Sequence, residues 1–174
     1  VKEALAVRAA AGIFDVSHMG RLEVRADKAF SALQTLLTND LKRLTDGAGQ
    51  YTLICSADGG VIDDLIVFRK AEDSYWLVVN AANLDKDKAW ICDHLPAGVG
   101  LTDRTLDTAL IALQGPRAVE ILESAGLPEA ADLLRFHLTY GRIAGCQVTA
   151  SRTGYTGEDG FEIACRAEDA EPVW

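Results

Sequence analysis

The 174-residue sequence lacks the long apolar runs and the excess of basic residues that several classes of protein require. No run approaches the roughly 20 apolar residues of a membrane-spanning helix, and no basic and apolar signal segment opens the chain. The 26 acidic residues outnumber the 17 basic ones, which gives a formal net charge of −9. We therefore expect neither nucleic acid nor a membrane as a partner, and a cytoplasmic location, or the mitochondrial matrix in a eukaryote.

Metal and nucleophile motifs are scarce as well. The sequence has no C-x-x-C pair, and its three histidines show no ligand spacing to its four cysteines. We therefore predict no metal site and no disulfide framework, with the cysteines as reduced thiols. Asp15, Ser17 and His18 lie close together in sequence, but no G-x-S-x-G motif is present, which argues against a serine hydrolase.

What the sequence does contain is typical of a soluble globular protein, with 49% hydrophobic and 25% charged residues. The length suits one domain or most of one. No Pro-, Gly- or Ser-rich linker divides the chain, so we expect its two halves to share one core. The chain begins within an apparent helix at Val1 and stops at Trp174 without a polar tail. We interpret it as a fragment that is incomplete at both ends.

The residue pattern predicts an α+β fold in which a similar order of elements occurs twice. Helices are predicted at residues 1–11, 28–37, 82–94 and 116–124, the last with Pro116 in its first turn. Strands are predicted at residues 20–25, 50–56, 61–69, 74–80, 100–103, 109–114, 136–139, 142–152 and 160–166. Residues 51–68 are predicted to form a β-hairpin around Ala57-Asp58-Gly59-Gly60. We interpret the repeated order as a duplicated fold.

Two adjacent carboxylates, Asp63 and Asp64, lie inside one of these strands, in the segment Gly59–Phe68. Burying an ionised carboxylate is unfavourable unless hydrogen-bond donors, an ion or a ligand compensate it. Side chains alternate faces along a strand, so we expect the two carboxylates to point to opposite sides. The pair is a candidate site, and a structural role at a strand edge is the alternative.

A second candidate is the segment from Ser151 to Glu162, which carries three glycines, an arginine, a tyrosine and three acids between two predicted strands. Glycines let a backbone approach a ligand closely, but the segment has no phosphate-binding pattern. A glycine-shaped hairpin with surface acids is the alternative. Asn80, at the end of an apolar strand, is a further candidate, and a helix cap is its alternative role.

Several segments resemble, in order and over nearly the whole chain, the T-protein family, the aminomethyltransferases of the glycine cleavage system. These segments are Gly12–Gly20, Thr38–Asp40, Gly59–Val67, Val78–Asn83, Leu113–Pro116 and Ser151–Glu162. The resemblance implies a duplicated α+β folate-binding domain over residues 1–174. It also implies transfer of an aminomethyl group from the lipoylated H-protein to tetrahydrofolate, which gives 5,10-methylenetetrahydrofolate, ammonia and dihydrolipoyl protein, without a metal.

The resemblance also implies roles for individual residues. In the family pattern the second aspartate of the pair is catalytic and contacts folate, which favours Asp64 over Asp63. The other positions implied to contact folate or to line its pocket are Met19, Tyr51, Val79, Asn80, Tyr155 and Glu162. A carboxylate such as Glu162 can accept hydrogen bonds from the N–H groups of a pterin, and tyrosines can flank its ring.

Two alternatives share parts of the pattern. One is the folate-binding domain of a sarcosine or dimethylglycine oxidoreductase, and the other is a non-enzymatic folate-binding relative that acts in iron–sulfur cluster maintenance. The latter carries a cysteine-containing Gly-Gln-Glu motif that this sequence lacks. The family also has a C-terminal part with a catalytic arginine. Because that part is missing here, we expect the fragment alone to be inactive.

Overall fold

The computed structural model describes all residues from 1 to 174 and divides them into two compact units. The inserted unit comprises Met19–Thr105, and the split unit comprises Val1–His18 together with Leu106–Trp174. Each unit contains one five-stranded antiparallel sheet. The fold is therefore α+β, as predicted.

The elements follow one another along the chain with short connections. The helices are α1 (Lys2–Ala9), α2 (Ala29–Leu36), α3 (Leu84–His94), α4 (Ala118–Ser124) and α5 (Ala170–Val173). The strands are β1 (Gly12–Asp15), β2 (Gly20–Arg25), β3 (Gly49–Cys55), β4 (Val61–Ala71), β5 (Ser74–Val79), β6 (Gly100–Asp103), β7 (Thr108–Gln114), β8 (Leu138–Ile143), β9 (Cys146–Ser151) and β10 (Gly160–Arg166). None of the helices has the length and apolar character needed to cross a membrane.

The inserted unit has the strand order β3-β4-β5-β2-β6. Its central strand, β5, is buried along its whole length, and β4 buries the apolar run from Leu65 to Phe68. Helices α2 and α3 contribute Leu33 and Ile91 to the same hydrophobic cluster. Because both strands are apolar on two faces here, a polar residue within them needs hydrogen-bond partners.

The split unit has the strand order β8-β9-β10-β7-β1. Strand β10 is buried from Gly160 to Cys165, and Leu122 of α4 and Val173 of α5 pack into the cluster around it. Each unit thus contains a hydrophobic cluster of its own. Helices of each unit pack on the sheet of the same unit. The expectation of one core shared by both halves of the sequence stays a prediction.

The duplication is confirmed, because the two strand orders superimpose element for element: β3, β4, β5, β2 and β6 correspond to β8, β9, β10, β7 and β1. The sequence-based division into two repeats is nevertheless wrong for the edge strands of the two sheets. Strand β6, which we assigned to the second repeat, pairs with β2 of the inserted unit. The unpredicted strand β1 takes the equivalent place beside β7. Each four-residue edge strand is too short for a clear alternation pattern.

The other local differences have backbone causes. The strand predicted at residues 142–152 is broken by Ala144 and Gly145, whose φ angles of 51° and 83° form the tight turn between β8 and β9. Phe136, also at positive φ, lies before β8 rather than in it. Pro116 lies in the turn that precedes α4. The predicted hairpin of residues 51–68 is confirmed by the pairing of β3 with β4.

Candidate active site

The carboxylates Asp63 and Asp64 lie near the start of β4, beside the residue that follows β5. That residue, Asn80, donates from Nδ2 to Asp63 Oδ1 at 3.1 Å, to Asp64 Oδ1 at 3.3 Å and to the Asp64 carbonyl at 3.0 Å. Asp63 is 6% exposed and Asp64 is half-buried, so burial alternates as predicted. Both carboxylates nevertheless reach the same amide, because Asn80 lies where the paired strands end.

Asp63 is the anchor of this cluster. Its Oδ1 also accepts from Asn83 Nδ2 at 2.7 Å. Burial pushes the pKa of Asp63 upward, but hydrogen bonds with Asp87, Asn80 and Asn83 outweigh burial and hold that pKa below its usual value. Asp63 is therefore ionised at neutral pH, with its charge compensated by neutral donors.

Asp87, on α3, is the third carboxyl group of the cluster and is fully buried. Its burial, then its hydrogen bond with Asp63 and the charge of Asp63, raise the pKa of Asp87 to about 7. The interaction between the two carboxyl groups thus lowers the pKa of Asp63 and raises the pKa of Asp87.

Tyr51 and Asp64 lie on neighbouring strands and form a hydrogen bond. Tyr51, on β3, is 49% exposed. Partial burial and the hydrogen bond with Asp64, together with that carboxylate's charge, raise the pKa of the Tyr51 phenol. Asp64 thus interacts with the amide of Asn80 and with the phenol of Tyr51, while part of its surface is open to solvent. An accessible, oriented carboxylate of this kind can stabilise a developing positive charge.

Met19 and Val79 have less direct relations to the carboxylates. Val79 is fully buried at the end of β5, where it pairs with Gly20, and a Cβ added to Gly20 would lie 2.4 Å from Val79 Cγ2. Met19 is half-buried, and its carbonyl accepts from the Arg21 guanidinium. The roles predicted for Met19 and Val79 in a folate pocket stay predictions.

In the split unit, the predicted site residue Glu162 lies on β10 and is 4% exposed. Burial raises the pKa of Glu162, and the hydrogen bond from Thr153 Oγ1 lowers it by less. Thr153 Oγ1 is itself 2.8 Å from Ser151 Oγ, so the carboxyl group sits at the end of a chain of hydroxyls. Glu162 is a buried group with few donors, a typical property of residues at functional sites.

The loop between β9 and β10 is held by Gln114. Its Nε2 donates to the Thr153 carbonyl at 3.0 Å and to the Phe161 carbonyl at 3.2 Å, and its Oε1 accepts from Thr156 Oγ1 at 2.9 Å. A Cβ on Gly154 would lie 2.0 Å from Gln114 Oε1, so that position needs glycine. These contacts leave Tyr155, at the tip, 67% exposed.

Sequence reasoning missed Asn83, Asp87, Thr153 and the clamping role of Gln114. The spacing of Asn80, Asn83 and Asp87, at intervals of three and four residues across the start of a helix, places them on one side of the chain and is the sequence feature that could have indicated them. No comparable feature marks Gln114, because its partners are backbone carbonyls.

A pocket of ≈ 340 Å³ also occurs in the split unit, but none of the predicted site residues lines it. Its lining residues are Asp15, Ser17, Ala109, Ile111, Ala170, Glu171 and Trp174. Asp15 Oδ1 accepts from the Ser17 backbone N–H at 2.9 Å, which is a local turn rather than a catalytic arrangement. No group of three or more His, Cys, Asp or Glu side chains is arranged to hold a metal ion.

Comparison with known proteins places this geometry in a family. The family model described as the GCVT N-terminal domain matches residues 1–174. The chain belongs to this family. It is 50% identical over 170 residues to an aminomethyltransferase of Anoxybacillus flavithermus, covering 97% of the chain and 47% of that protein. It is 47% identical over 174 residues to the aminomethyltransferase of Bacillus subtilis, covering 99% and 48%.

Solved structures agree with the family assignment. The glycine cleavage system aminomethyltransferase T from Bartonella henselae is 38% identical, with a TM-score of 0.87, over 99% of this chain and 47% of that one. The heterotetrameric sarcosine oxidase from Corynebacterium sp. U-96 is 20% identical, with a TM-score of 0.65, over 99% of this chain and 87% of that one. The latter likeness shows the fold alone. The chain spans about half the length of the aminomethyltransferases that it matches.

Proposed function

We propose that the protein containing this chain is the tetrahydrofolate-dependent aminomethyltransferase of glycine cleavage. The aminomethyl donor is the lipoyl arm of the H-protein, and the products are 5,10-methylenetetrahydrofolate, ammonia and dihydrolipoyl protein. The family membership supports the reaction class. The observation that carries the assignment of the site is the half-buried Asp64 carboxylate, which is oriented by Asn80 and Tyr51.

The reaction needs an anion close to the transferred carbon. The carbon bound to the lipoyl sulfur gains positive charge, which it shares with that sulfur, as ammonia leaves and the N5 and N10 atoms of tetrahydrofolate bind it. Of the two N–H protons of tetrahydrofolate, one ends on the departing ammonia and the other on the lipoyl sulfur. A fixed carboxylate stabilises the positive carbon and orients the folate nitrogens, because its dipolar surroundings are already in place.

We assign this role to Asp64 rather than to Asp63. Asp63 is buried, and its oxygens face Asn80, Asn83 and Asp87. Asp64 keeps an accessible surface. Its carboxylate accepts from Asn80 Nδ2 at 3.3 Å, which is longer than the 3.1 Å bond from the same atom to Asp63. Asp63 thus serves to hold the amides in place.

The proposed folate contacts involve residues of both units. Glu162 is a buried carboxyl group suited to accept from the N–H edge of a pterin, and Tyr155 has an exposed ring suited to pack against one. We include Met19, Tyr51, Val79 and Asn80 among the folate positions from the family pattern. Cytoplasmic location and the H-protein as partner belong to the same proposal.

The test is a product assay with the full native polypeptide. Aminomethylated lipoyl H-protein and tetrahydrofolate are supplied together, and 5,10-methylenetetrahydrofolate and ammonia are measured. We expect both products in equal amounts, and none with H-protein that lacks the lipoyl group. Absence of product would overturn the proposal. Formation of the folate product from free sarcosine with an oxidant would favour the oxidoreductase alternative instead.

A further inference from the structure

Asp87 is a buried acid that the proposed chemistry does not use. It lies in the first turn of α3 and is 0% exposed. Neither of its carboxyl oxygens has a hydrogen-bond donor among the surrounding groups, and the buried Asp63 Oδ2 has none either. Buried oxygens without donors are unfavourable, and two such groups face each other here. A proton on Asp87 supplies the donor that both groups lack.

The charges around Asp87 favour that proton. Asp63 and Asp64 face it from β4, and Lys86 is its neighbour on α3. Lys86 Nζ is directed to the Ile62 carbonyl, to which it donates at 2.7 Å, and its attraction for Asp87 is smaller than the effects of burial and of Asp63. Two carboxylates in one buried site do not both ionise readily.

We propose that Asp87 is a positioning residue whose protonated carboxyl group donates a hydrogen bond to Asp63, so that Asp63 Oδ1 stays fixed on Asn80 and Asn83 and Asn80 stays aimed at Asp64. This inference rests on the proposed function, because the orientation of Asp64 matters through that reaction. The connection runs through the amide of Asn80, whose Nδ2 donates to both Asp63 Oδ1 and Asp64 Oδ1. Asp87 acts at a distance, through Asp63 and Asn80.

The proposal makes the site sensitive to pH. Loss of the Asp87 proton places a second negative charge against Asp63, which pushes the two groups apart and loosens Asn80. With its raised pKa of about 7, Asp87 changes its protonation state close to neutral pH. An asparagine at position 87 has the same shape and an N–H donor at every pH, so it reproduces the protonated form.

The experiment measures tetrahydrofolate affinity and turnover between pH 6 and pH 8.5 in the full native polypeptide. The variants are Asp87→Asn, Asp87→Ala and the control Asp85→Asn, which removes an exposed acid from the same helix turn. We expect wild type and Asp85→Asn to lose affinity or turnover by about tenfold as pH rises, the size of one lost hydrogen bond to a charged group. Asp87→Asn should lack this loss, because its amide donates at every pH. Titration of tetrahydrofolate itself is common to all variants, so it cancels when each variant is compared with wild type.

The outcomes separate this inference from the proposed function. Asp87→Ala, checked for folding by circular dichroism, should be about tenfold weaker than wild type at pH 6. If Asp87→Asn follows the wild-type pH profile, or if folded Asp87→Ala performs like wild type, the positioning role is wrong while the function stands. If wild type neither binds tetrahydrofolate nor turns over at any pH, the proposed function fails and the positioning role fails with it.

Discussion

The two units share one strand order but carry their polar clusters at opposite ends of equivalent hairpins. In the inserted unit, the cluster lies where β4 begins and β5 ends, away from the turn that joins them. In the split unit, it lies at the connection itself, where β9 ends and β10 begins. The framework is the same, and the difference shows that strand order alone does not locate a site.

The units also differ in how they compensate buried charge. In the inserted unit, neutral amides surround Asp63, and the fully buried Arg21 guanidinium donates to the carbonyls of Met19 and Thr105, the first and last residues of that unit. In the split unit, the less buried Arg152 pairs with the Asp159 carboxylate. Fully buried charges depend on several neutral partners, so they should be less tolerant of substitution than the partly exposed ion pair.

Among substitutions at a fixed pH, the largest loss of stability should follow from Arg21→Met, because it removes the buried guanidinium that donates to the Met19 and Thr105 carbonyls. We expect the free energy of unfolding to fall by about 3 kcal/mol. Arg152→Met should lower it by less, about 1 kcal/mol. Urea denaturation followed by circular dichroism measures both values.

The control for Arg21→Met is Arg25→Met on the same strand. Arg25 has a 74% exposed side chain and lies 3.6 Å from the Asp73 carboxylate, so its loss should change stability by under about 0.5 kcal/mol. Equal losses for Arg21→Met and Arg152→Met would break the contrast between the units.

A smaller effect is expected from Gly154→Ala in the split unit. The added methyl group would overlap Gln114 Oε1 and Nε2, which are 2.0 and 2.4 Å from the Cβ position, and would push Gln114 from its carbonyl partners. We expect a loss of about 2 kcal/mol in unfolding free energy, typical of overpacking. Gly100→Ala in the inserted unit meets no atom within 4 Å and serves as the control. If Gly154→Ala leaves the free energy of unfolding unchanged, Gln114 does not hold the loop rigidly.

A further effect is a pH dependence of stability that differs between the units. The pKa of Asp87 rises from 3.8 to about 7 on folding, so the folded chain binds more protons than the unfolded chain in this range. The stability that this proton confers is therefore present at low pH and is lost as pH rises to about 7. The raised pKa of Glu162 likewise gives stability that is lost as pH rises. The lowered pKa of Asp63 has the opposite effect, since the stability that it gives is lost as pH falls below the usual pKa of an aspartate.

Two substitutions separate these contributions. Asp87→Asn should flatten the decline in urea midpoint up to about pH 7, and Glu162→Gln should remove a further part that belongs to the split unit. Curves for Asp87→Asn and wild type that stay parallel from pH 5 to pH 8 would show that Asp87 holds no extra proton in the folded chain.

The sequence predicted the interior strands well and drew attention to the adjacent Asp63 and Asp64, because both depend on local patterns. The apolar run after Asp64 predicts β4, and Ala57-Asp58-Gly59-Gly60 predicts its hairpin with β3. Strand β1 was not predicted, and β6 was predicted but assigned to the wrong repeat, since which sheet a four-residue strand joins is decided by tertiary pairing.

The choice of Asp64 over Asp63 shows how far the sequence alone could predict the candidate site. Alternation indicates that the two carboxylates differ, but it does not tell which is buried, and the family resemblance supplied the choice. The supporting contacts depend on where β5 ends: Asn80 reaches both aspartates because it follows the last residue paired to β4. Asp87 enters from a helix 20 or more residues later, so no local pattern connects it to Asp63.

The most direct test of this account is the single-turnover rate of Asp64→Asn in the full native polypeptide, with aminomethylated lipoyl H-protein and tetrahydrofolate. Asp58→Asn, an exposed acid in the turn of the same hairpin, is the matched control. We predict a rate at least about 100-fold lower for Asp64→Asn, with a smaller change in tetrahydrofolate affinity, and a normal rate for Asp58→Asn. A normal rate for Asp64→Asn would contradict the assignment of the catalytic carboxylate.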